Sequence, residues 1–388
     1  MQAAIELLDE IVAAARTAGP AADTIVSRFF RTRRYAGSKD RRAVRDLVYR
    51  AIRRSGERPV SGRAAMLGLA ADEPELVEYF DGSPHAPPPR GAEEPAAPAS
   101  PTPLWLAGRF DPLVDEGELL ALLGRAPLDL RVNRLRGTRD QALASFECAE
   151  RSPLSPLGVR LPEGSQVAAA PAFRDGLVEV QDEGSQLVAL ACGAAPGMAV
   201  VDLCAGAGGK TLALAAEMED RGRILAVDTD RDRLQRIGPR LERAGVTIAE
   251  PRLVNPGQEL AALGEWKGAA DLVLVDAPCS GTGTWRRNPE ARWRLTPDRL
   301  ARLVELQARL LDIAGELVKP GGILVYAVCS LLAEEGRAQA LALAARRSSL
   351  VSEALPIPAG RAAGPGLMLA PGHDGTDGFF VARWKVPC

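Results

Sequence analysis

MAVVDLCAGAGGKTLALAAEM (Met198–Met218) is the stretch on which the fold turns. Its opening, MAVVDL, is a short and nearly unbroken apolar run, the pattern of a strand buried on both faces. Gly206, Gly208 and Gly209 follow, and without a Cβ they let the backbone turn sharply and approach a ligand closely. LALAAEM then reads as helix. The glycine spacing is neither GxGxxG nor GxxxxGKS/T, so it favours neither a nicotinamide dinucleotide nor a P-loop nucleotide. Outward from this point the same unit repeats, because RILAVDT, DLVLVDA and GILVYAV are apolar runs each followed by helix or loop. The alternation predicts an α/β fold from Gly176 onward, a mostly parallel, doubly wound, Rossmann-like sheet with helices on both faces. Sheets of this kind bind ligands beyond the carboxyl ends of their strands.

The residues able to do chemistry fall at those ends. Asp228 closes the second strand, where an acid can accept hydrogen bonds from both hydroxyls of a ribose; the alternative is an acid capping the next helix. Asn255, in RLVNPG, stands where a third strand should end, either to meet an adenine edge or to start the turn at Pro256. The fourth strand, DLVLVDAPCSGTG, delivers Asp276, Pro278 and Cys279, and the fifth, KPGGILVYAVCS, delivers Cys329. A lone buried cysteine is ordinarily inert packing. Two at neighbouring strand ends, one beside an acid, read instead as a covalent catalytic centre.

Residues 1–80 read as all-helical, since Ile5, Leu8, Ile11 and Val12, and again Val44, Leu47, Val48 and Ile52, recur at helical spacing. Residues 81–103, DGSPHAPPPRGAEEPAAPASPTP, predict a flexible linker. Residues 104–175 predict a small helical and α+β connector, with a short helix near Val114–Leu123 and a strand in LDLRVNRL (Leu128–Leu135). The Rossmann-like domain takes 176–388. A net charge of -2 over 388 residues gives no global sign of a polyanionic partner, so nucleic-acid binding has to come from local clustering. Between Arg28 and Arg54 eleven Lys or Arg accompany two acids, Asp40 and Asp46, an imbalance that suits phosphate contact; the alternative is a solvated helical face. The six cysteines form no CxxC pair and only two histidines accompany them, which argues against a metal site. The first residues carry acids where a signal peptide needs bases, and no run is long and apolar enough to span a membrane. The expectation is a reduced, cytoplasmic monomer with no membrane partner.

Five pieces, VQDEGSQLVAL (Val180–Leu190), DLCAGAGGKT (Asp202–Thr211), VLVDAPCSGTG (Val273–Gly283), KPGGILVYAVCS (Lys319–Ser330) and GTDGFFVARW (Gly375–Trp384), cover the last half of the chain. In this order they closely resemble the Sun/RsmB family of bacterial RNA cytosine-5 methyltransferases. The resemblance implies S-adenosyl-L-methionine as cofactor, contacted by Cys204, Ala205, Gly206, Ala207, Gly208, Gly209 and Lys210 and by Asp228, Asn255 and Asp276. It implies that Cys329 is the attacking nucleophile and that Cys279 is needed for product release. RRYAGSKDRRAVRDLVYRAIRR (Arg33–Arg54) resembles the NusB-like RNA-binding domain that opens the RsmB branch, and LDLRVNRL resembles the strand that opens its connector. Val328 stands where the family usually has Thr, and Asn255 where an Asp is common.

The chemistry has a physical reason to want this set. Carbon 5 of cytosine is a poor nucleophile until a thiolate adds to carbon 6. Asp276 is placed to recognise the base and steady the charge that develops on it. The expected substrate is small-subunit (16S) rRNA, with Arg286, Arg287 and Arg294, just after Cys279, as candidate RNA contacts. The same chemistry on tRNA, or a non-catalytic RNA-binding or ribosome-assembly factor, are the alternatives.

Overall fold

The computed structural model describes residues 1–17, 19–33 and 36–388. The chain forms two compact units that do not follow its order. One holds Met1–Phe110, Val114–Arg125 and Thr284–Leu300; the other holds Asp111–Leu113, Ala126–Gly283 and Ala301–Cys388.

The first unit is built on α1 (Gln2–Arg16), α2 (Ala22–Thr32), α3 (Ser38–Arg54) and α4 (Gly62–Asp72). The periodic residues Ile5, Leu8, Ile11, Val12, Val48 and Ile52 form its core together with Ile25 and Met66. Two expectations are corrected here. Residues 81–103 are not a loose linker: Ala97 is buried and donates its N–H to the Ala64 carbonyl at 2.8 Å, and Glu94 pairs with Arg63. Proline restricts the free chain as well as the folded one, so a proline-rich segment loses little entropy when a few such contacts order it. The domain bounds also change, because residues 284–300, drawn from the middle of the expected Rossmann-like domain, complete this helical unit.

That insertion reassigns two of the three arginines expected to touch RNA, Arg286 and Arg294. The Arg292 guanidinium is buried and donates to the carbonyls of Pro101 (2.6 Å), Ile52 (2.6 Å) and Arg53 (2.7 Å), the last two at the carboxyl end of α3. Trp293 Nε1 donates to the Ser55 carbonyl at 2.7 Å, and Glu290 accepts from the Ala22 N–H at 2.9 Å. Arg294 donates to the carbonyls of Gly19 (2.7 Å) and Pro20 (2.5 Å), and Arg286 is buried. Arg286 and Arg294 thus serve the packing of this unit, while Arg287 stays half-buried. The basic stretch is also less unbalanced than it reads. Arg28, Arg33, Arg50 and Arg54 pair with Glu10, Glu6, Glu73 and Asp72 from other elements or their ends, and Arg31, Lys39, Arg42 and Arg45 remain exposed. Arg34, which belongs to the same stretch, lies outside the described residues.

The second unit opens with a small antiparallel sheet of β1 (Leu128–Val132), β2 (Glu150–Arg151), β3 (Gly158–Leu161) and β4 (Val178–Val180), in the order β2-β3-β1-β4. Leu130, Val132, Val159 and Val178 give it its own core. The large sheet contains β5 (Ala199–Asp202), β6 (Arg223–Asp228), β7 (Ala249–Leu253), β8 (Ala270–Asp276), β9 (Val318–Val328), β10 (Val351–Ser352), β11 (Arg361–Ala363), β12 (Gly366–Leu369) and β13 (Phe379–Lys385). Its order is β11-β12-β13-β9-β8-β5-β6-β7, with β10 on β13. From β9 to β7 all pairings are parallel, and β13 joins β9 antiparallel. The order in which the chain adds strands reverses between β5 and β8, the switch point where this class of sheet opens its ligand crevice. The expected doubly wound fold is the observed one, with an antiparallel edge that the apolar runs did not announce.

Candidate active site

The loop between β5 and the helix Gly209–Glu217 is held from three sides. Ala205 donates its N–H to the Val227 carbonyl at 2.8 Å, Gly206 donates to Asp228 Oδ2 at 2.7 Å, and the Ala207 carbonyl accepts from Arg240 Nη1 at 2.6 Å. Gly206 and Gly208 take positive φ, 56° and 83°, and at Gly208 a Cβ would lie 2.4 Å from Ile237 Cγ1. Gly209, by contrast, simply begins the helix. The helix amino end faces a loop with no side chain at Gly206 or Gly208, an arrangement that can take up an anionic ligand group. Cys204 is a thiol whose pKa burial pushes well above its ordinary value, which suits packing and not reaction.

Asp228 uses one carboxylate oxygen for Gly206 and the other for the Asp230 N–H at 2.8 Å. Each oxygen keeps a further lone pair, so ribose hydroxyls can still be accepted. The alternative of Asp228 as a helix cap falls away, because the following helix is capped by Asp230, which accepts from the Arg233 N–H at 3.0 Å. Asn255 is exposed just past β7; its carbonyl accepts from the Gln258 N–H at 3.0 Å and its amide donates to Gln258 Oε1 at 3.3 Å. That geometry holds the turn expected before Pro256.

On the other side of the crevice, register carries the chemistry. Asp276 at the end of β8 is level with Ala327 of β9, and Ala277 donates its N–H to the Ala327 carbonyl at 2.9 Å. The two chains then leave the sheet side by side, and Cys279 Sγ comes within 3.3 Å of Cys329 Sγ. The Cys279 thiol pKa is raised well above its ordinary value, first by its hydrogen bond to Cys329, then by burial, then by negative charge at Cys329 and Glu335. Either sulfur can donate across this contact, and the upward shift favours the proton on Cys279. Gly283 closes the loop, with its N–H on the Cys329 carbonyl at 3.1 Å and its own carbonyl accepting from Gly378 N–H at 2.8 Å. A Cβ at Gly283 would sit 2.0 Å from the Gly378 oxygen, so no larger residue fits.

Lys210 links the two halves. Its Nζ donates to Asp276 Oδ2 at 2.6 Å and lies 5.5 Å from the centre of the Phe379 ring. Burial alone would lower the ammonium pKa, but the Asp276 carboxylate more than offsets this and the net shift is upward. The Lys210 side chain is 8% exposed and that of Asp276 29%, so the pair is hidden on the lysine side and open on the acid side.

Sequence reasoning missed Asp202 as an ionisable group. It ends β5 fully buried, accepts from Thr211 Oγ1 at 2.7 Å through Oδ2, and leaves Oδ1 without a hydrogen-bond partner among the described residues. Burial, outweighing the Thr211 hydrogen bond, pushes its pKa up from 3.8 to about 7. Between those values the folded protein holds a proton that the unfolded chain has released, so stability falls as pH rises from 4 to 7 and the loss persists above 7. Asp202→Asn keeps an acceptor and removes the buried charge. Its stability relative to the parent is expected to rise between pH 5 and pH 8, by about 3 kcal/mol, with a matching rise in relative melting temperature. A difference that stays constant over this range would show that the carboxyl does not titrate as described.

A doubly wound sheet with a glycine loop after its first strand and its reactive side chains beyond the strand ends defines a Rossmann-like methyltransferase fold. A family model described as 16S rRNA methyltransferase RsmB/F matches residues 190–385. Ribosomal RNA small subunit methyltransferase B of Enterobacter sp. (strain 638) is 38% identical over 290 residues, which make up 72% of this chain and 65% of that protein. The chain belongs to the 16S rRNA methyltransferase RsmB/F family. Its match therefore spans somewhat under two thirds of the length of that relative. Among solved structures, a methyltransferase homolog from Pyrococcus horikoshii is 29% identical with a TM-score of 0.61, over 70% of this chain and 90% of that one. The structure of PH0851 shares the fold at a TM-score of 0.78 and 22% identity, over 99% of this chain and 98% of that one.

Proposed function

We propose that the protein is an S-adenosylmethionine-dependent RNA cytosine-5 methyltransferase acting on small-subunit rRNA, with Cys329 as nucleophile and Cys279 as the group that releases the product. The observation that carries this reading is the pair of thiols 3.3 Å apart at the ends of adjacent strands, next to the Lys210–Asp276 pair. A binding factor has no use for such an arrangement. The loop Cys204–Lys210, with Asp228 across from it and Asn255 beyond β7, fits an adenosyl group and an amino-acid carboxylate. When bound, S-adenosylmethionine supplies an electrophilic methyl group.

The protein side chains do the rest. Cys329, accepting the Cys279 S–H, adds as thiolate to carbon 6 of the cytosine and makes carbon 5 nucleophilic. Asp276, with one oxygen held by Lys210, offers the other to the exocyclic amino group, which uracil lacks. Formation of the thioether removes both the hydrogen bond and the charge by which Cys329 raised the Cys279 pKa. Cys279 can then give its own proton to solvent and serve as base when it is needed. The C5–H bond breaks with its proton passing to Cys279, the electron pair restores the C5–C6 double bond, and the C6–S bond breaks with its pair returning to Cys329 Sγ.

Arg31, Lys39, Arg42 and Arg45 are the basic side chains of the helical unit that we assign to RNA phosphates. The reading is tested by supplying methyl-labelled cofactor with unmodified small-subunit rRNA or with tRNA, then digesting the product to nucleosides. Label is expected in 5-methylcytosine from the rRNA; label in another nucleoside, or only in tRNA, would overturn the corresponding part of the proposal.

A further inference from the structure

Glu335 lies in the turn after β9 and is fully buried. Its carboxylate is satisfied by hydrogen-bond donors: the Ser280 N–H at 2.8 Å and Gln307 Nε2 at 2.9 Å on Oε1, and the hydroxyls of Ser280 and Ser330 (2.6 Å) on Oε2. Four donors match the acceptor capacity of an ionised carboxylate. Ser280 follows Cys279, and Ser330 follows Cys329. One side chain thus ties together the residues next to both thiols. Gln307 extends the clamp, since the same Nε2 also donates to the carbonyl of Pro278 at 2.9 Å, the residue before Cys279. Cys279 is accordingly held through the residue on either side of it, and both holds lead to Glu335.

We propose that Glu335 is the positioning residue of this centre, the group that keeps the Cys279 loop against Cys329 so that the covalent adduct can be released; the inference rests on the function proposed above. The two thiols do not depend on it equally. Cys329 sits directly after Val328, which is paired with Phe380 of β13, so the sheet itself places it. Cys279 lies beyond Asp276, the last paired residue of β8, on a loop that Gly283 anchors at its far end and Glu335 and Gln307 hold at Pro278 and Ser280, beside the thiol. Loss of the carboxylate should therefore spare adduct formation at Cys329 and impair the later step that needs Cys279.

Glu335→Gln keeps the length of the side chain and turns one acceptor into an NH2 facing donors. The variant, the parent and Cys279→Ala are incubated with small-subunit rRNA and S-adenosylmethionine and resolved on denaturing gels. Glu335→Gln is expected to accumulate at least about tenfold more covalent protein–RNA band than the parent, although its Cys279 is intact, while single-turnover methyl transfer falls much less than multiple turnover. A carboxylate that served only the fold would depress both rates together and leave no band. If Glu335→Gln does not melt cooperatively, Ser280→Ala, which removes only the hydroxyl tether, is expected to show a weaker band of the same kind. Trapping by Cys279→Ala with none by the folded Glu335 or Ser280 variant overturns the role of Glu335 and leaves the two-thiol reading intact. Absence of methylation by the parent and of any band from Cys279→Ala overturns both.

Discussion

Cys279→Ala protein is expected to become stuck to its RNA, leaving a slow-migrating protein–RNA band on a denaturing gel, whereas Cys329→Ala is expected to be inactive with no band at all. The asymmetry follows from the roles assigned to two sulfurs only 3.3 Å apart. Without Cys279 the thioether can still form from Cys329 and the methyl can still arrive, but no base is placed to take the carbon 5 proton, and elimination stalls. Without Cys329 there is no bond to trap. General-base catalysis contributes about 10²–10⁴ in rate, so the Cys279→Ala adduct should persist for hours where the parent turns over in minutes or less. A band from Cys329→Ala in place of Cys279→Ala would reverse the two roles.

The second large effect is expected at Asp276. Asp276→Asn replaces the charged acceptor assigned to the cytosine amino group with a neutral amide, and it strands the Lys210 ammonium, whose side chain is 8% exposed, without a counter-charge. Losing a preorganised group at the site of charge development typically costs about 10²–10³ in kcat. Breaking a buried ion pair also destabilises, here by about 3 kcal/mol or less because the Asp276 side chain is 29% exposed. The two losses separate in the double variant Lys210→Met/Asp276→Asn, in which no buried charge is left unpaired. It is expected to recover most of the melting temperature and none of the activity. Recovery of both would mean that Asp276 matters only as the partner of Lys210.

The parts of the site that the sequence made legible are those where a strand and its loop are contiguous. MAVVDL announced β5, the glycines after it announced the loop, and DLVLVDAPCS and YAVCS each placed a cysteine beyond a strand end. Register did the remainder, since level ends at Asp276 and Ala327 bring the two cysteines together. Glu335 and Gln307 were illegible for the opposite reason: each meets Ser280 or Pro278 only through the fold, and no spacing rule links positions so far apart. Asp228 shows a middle case, in which a ribose acceptor was favoured over a helix cap and the structure removes the cap, since Asp230 does the capping. Arg286 and Arg294 misled because a loop at a strand end is expected to meet substrate. Arg292 and Arg294 spend their guanidinium groups on backbone carbonyls more than a hundred residues earlier in the chain.

The helical unit borrows Thr284–Leu300, and Trp293 sits in its core. A ribosome releases a chain from its amino end, so α1 to α4 emerge long before the residues that finish their packing. Until Leu300 has left the exit tunnel, Ile52, Arg53 and Ser55 present carbonyls whose partners, Arg292 and Trp293, have yet to be made. By that stage β5 to β8 have also emerged, so the amino-terminal helices reach their final form only after most of the parallel sheet exists as chain. A gene cut after residue 110 would therefore encode a helical fragment with an open core, and a separately folding helical unit requires the borrowed segment to be supplied with it.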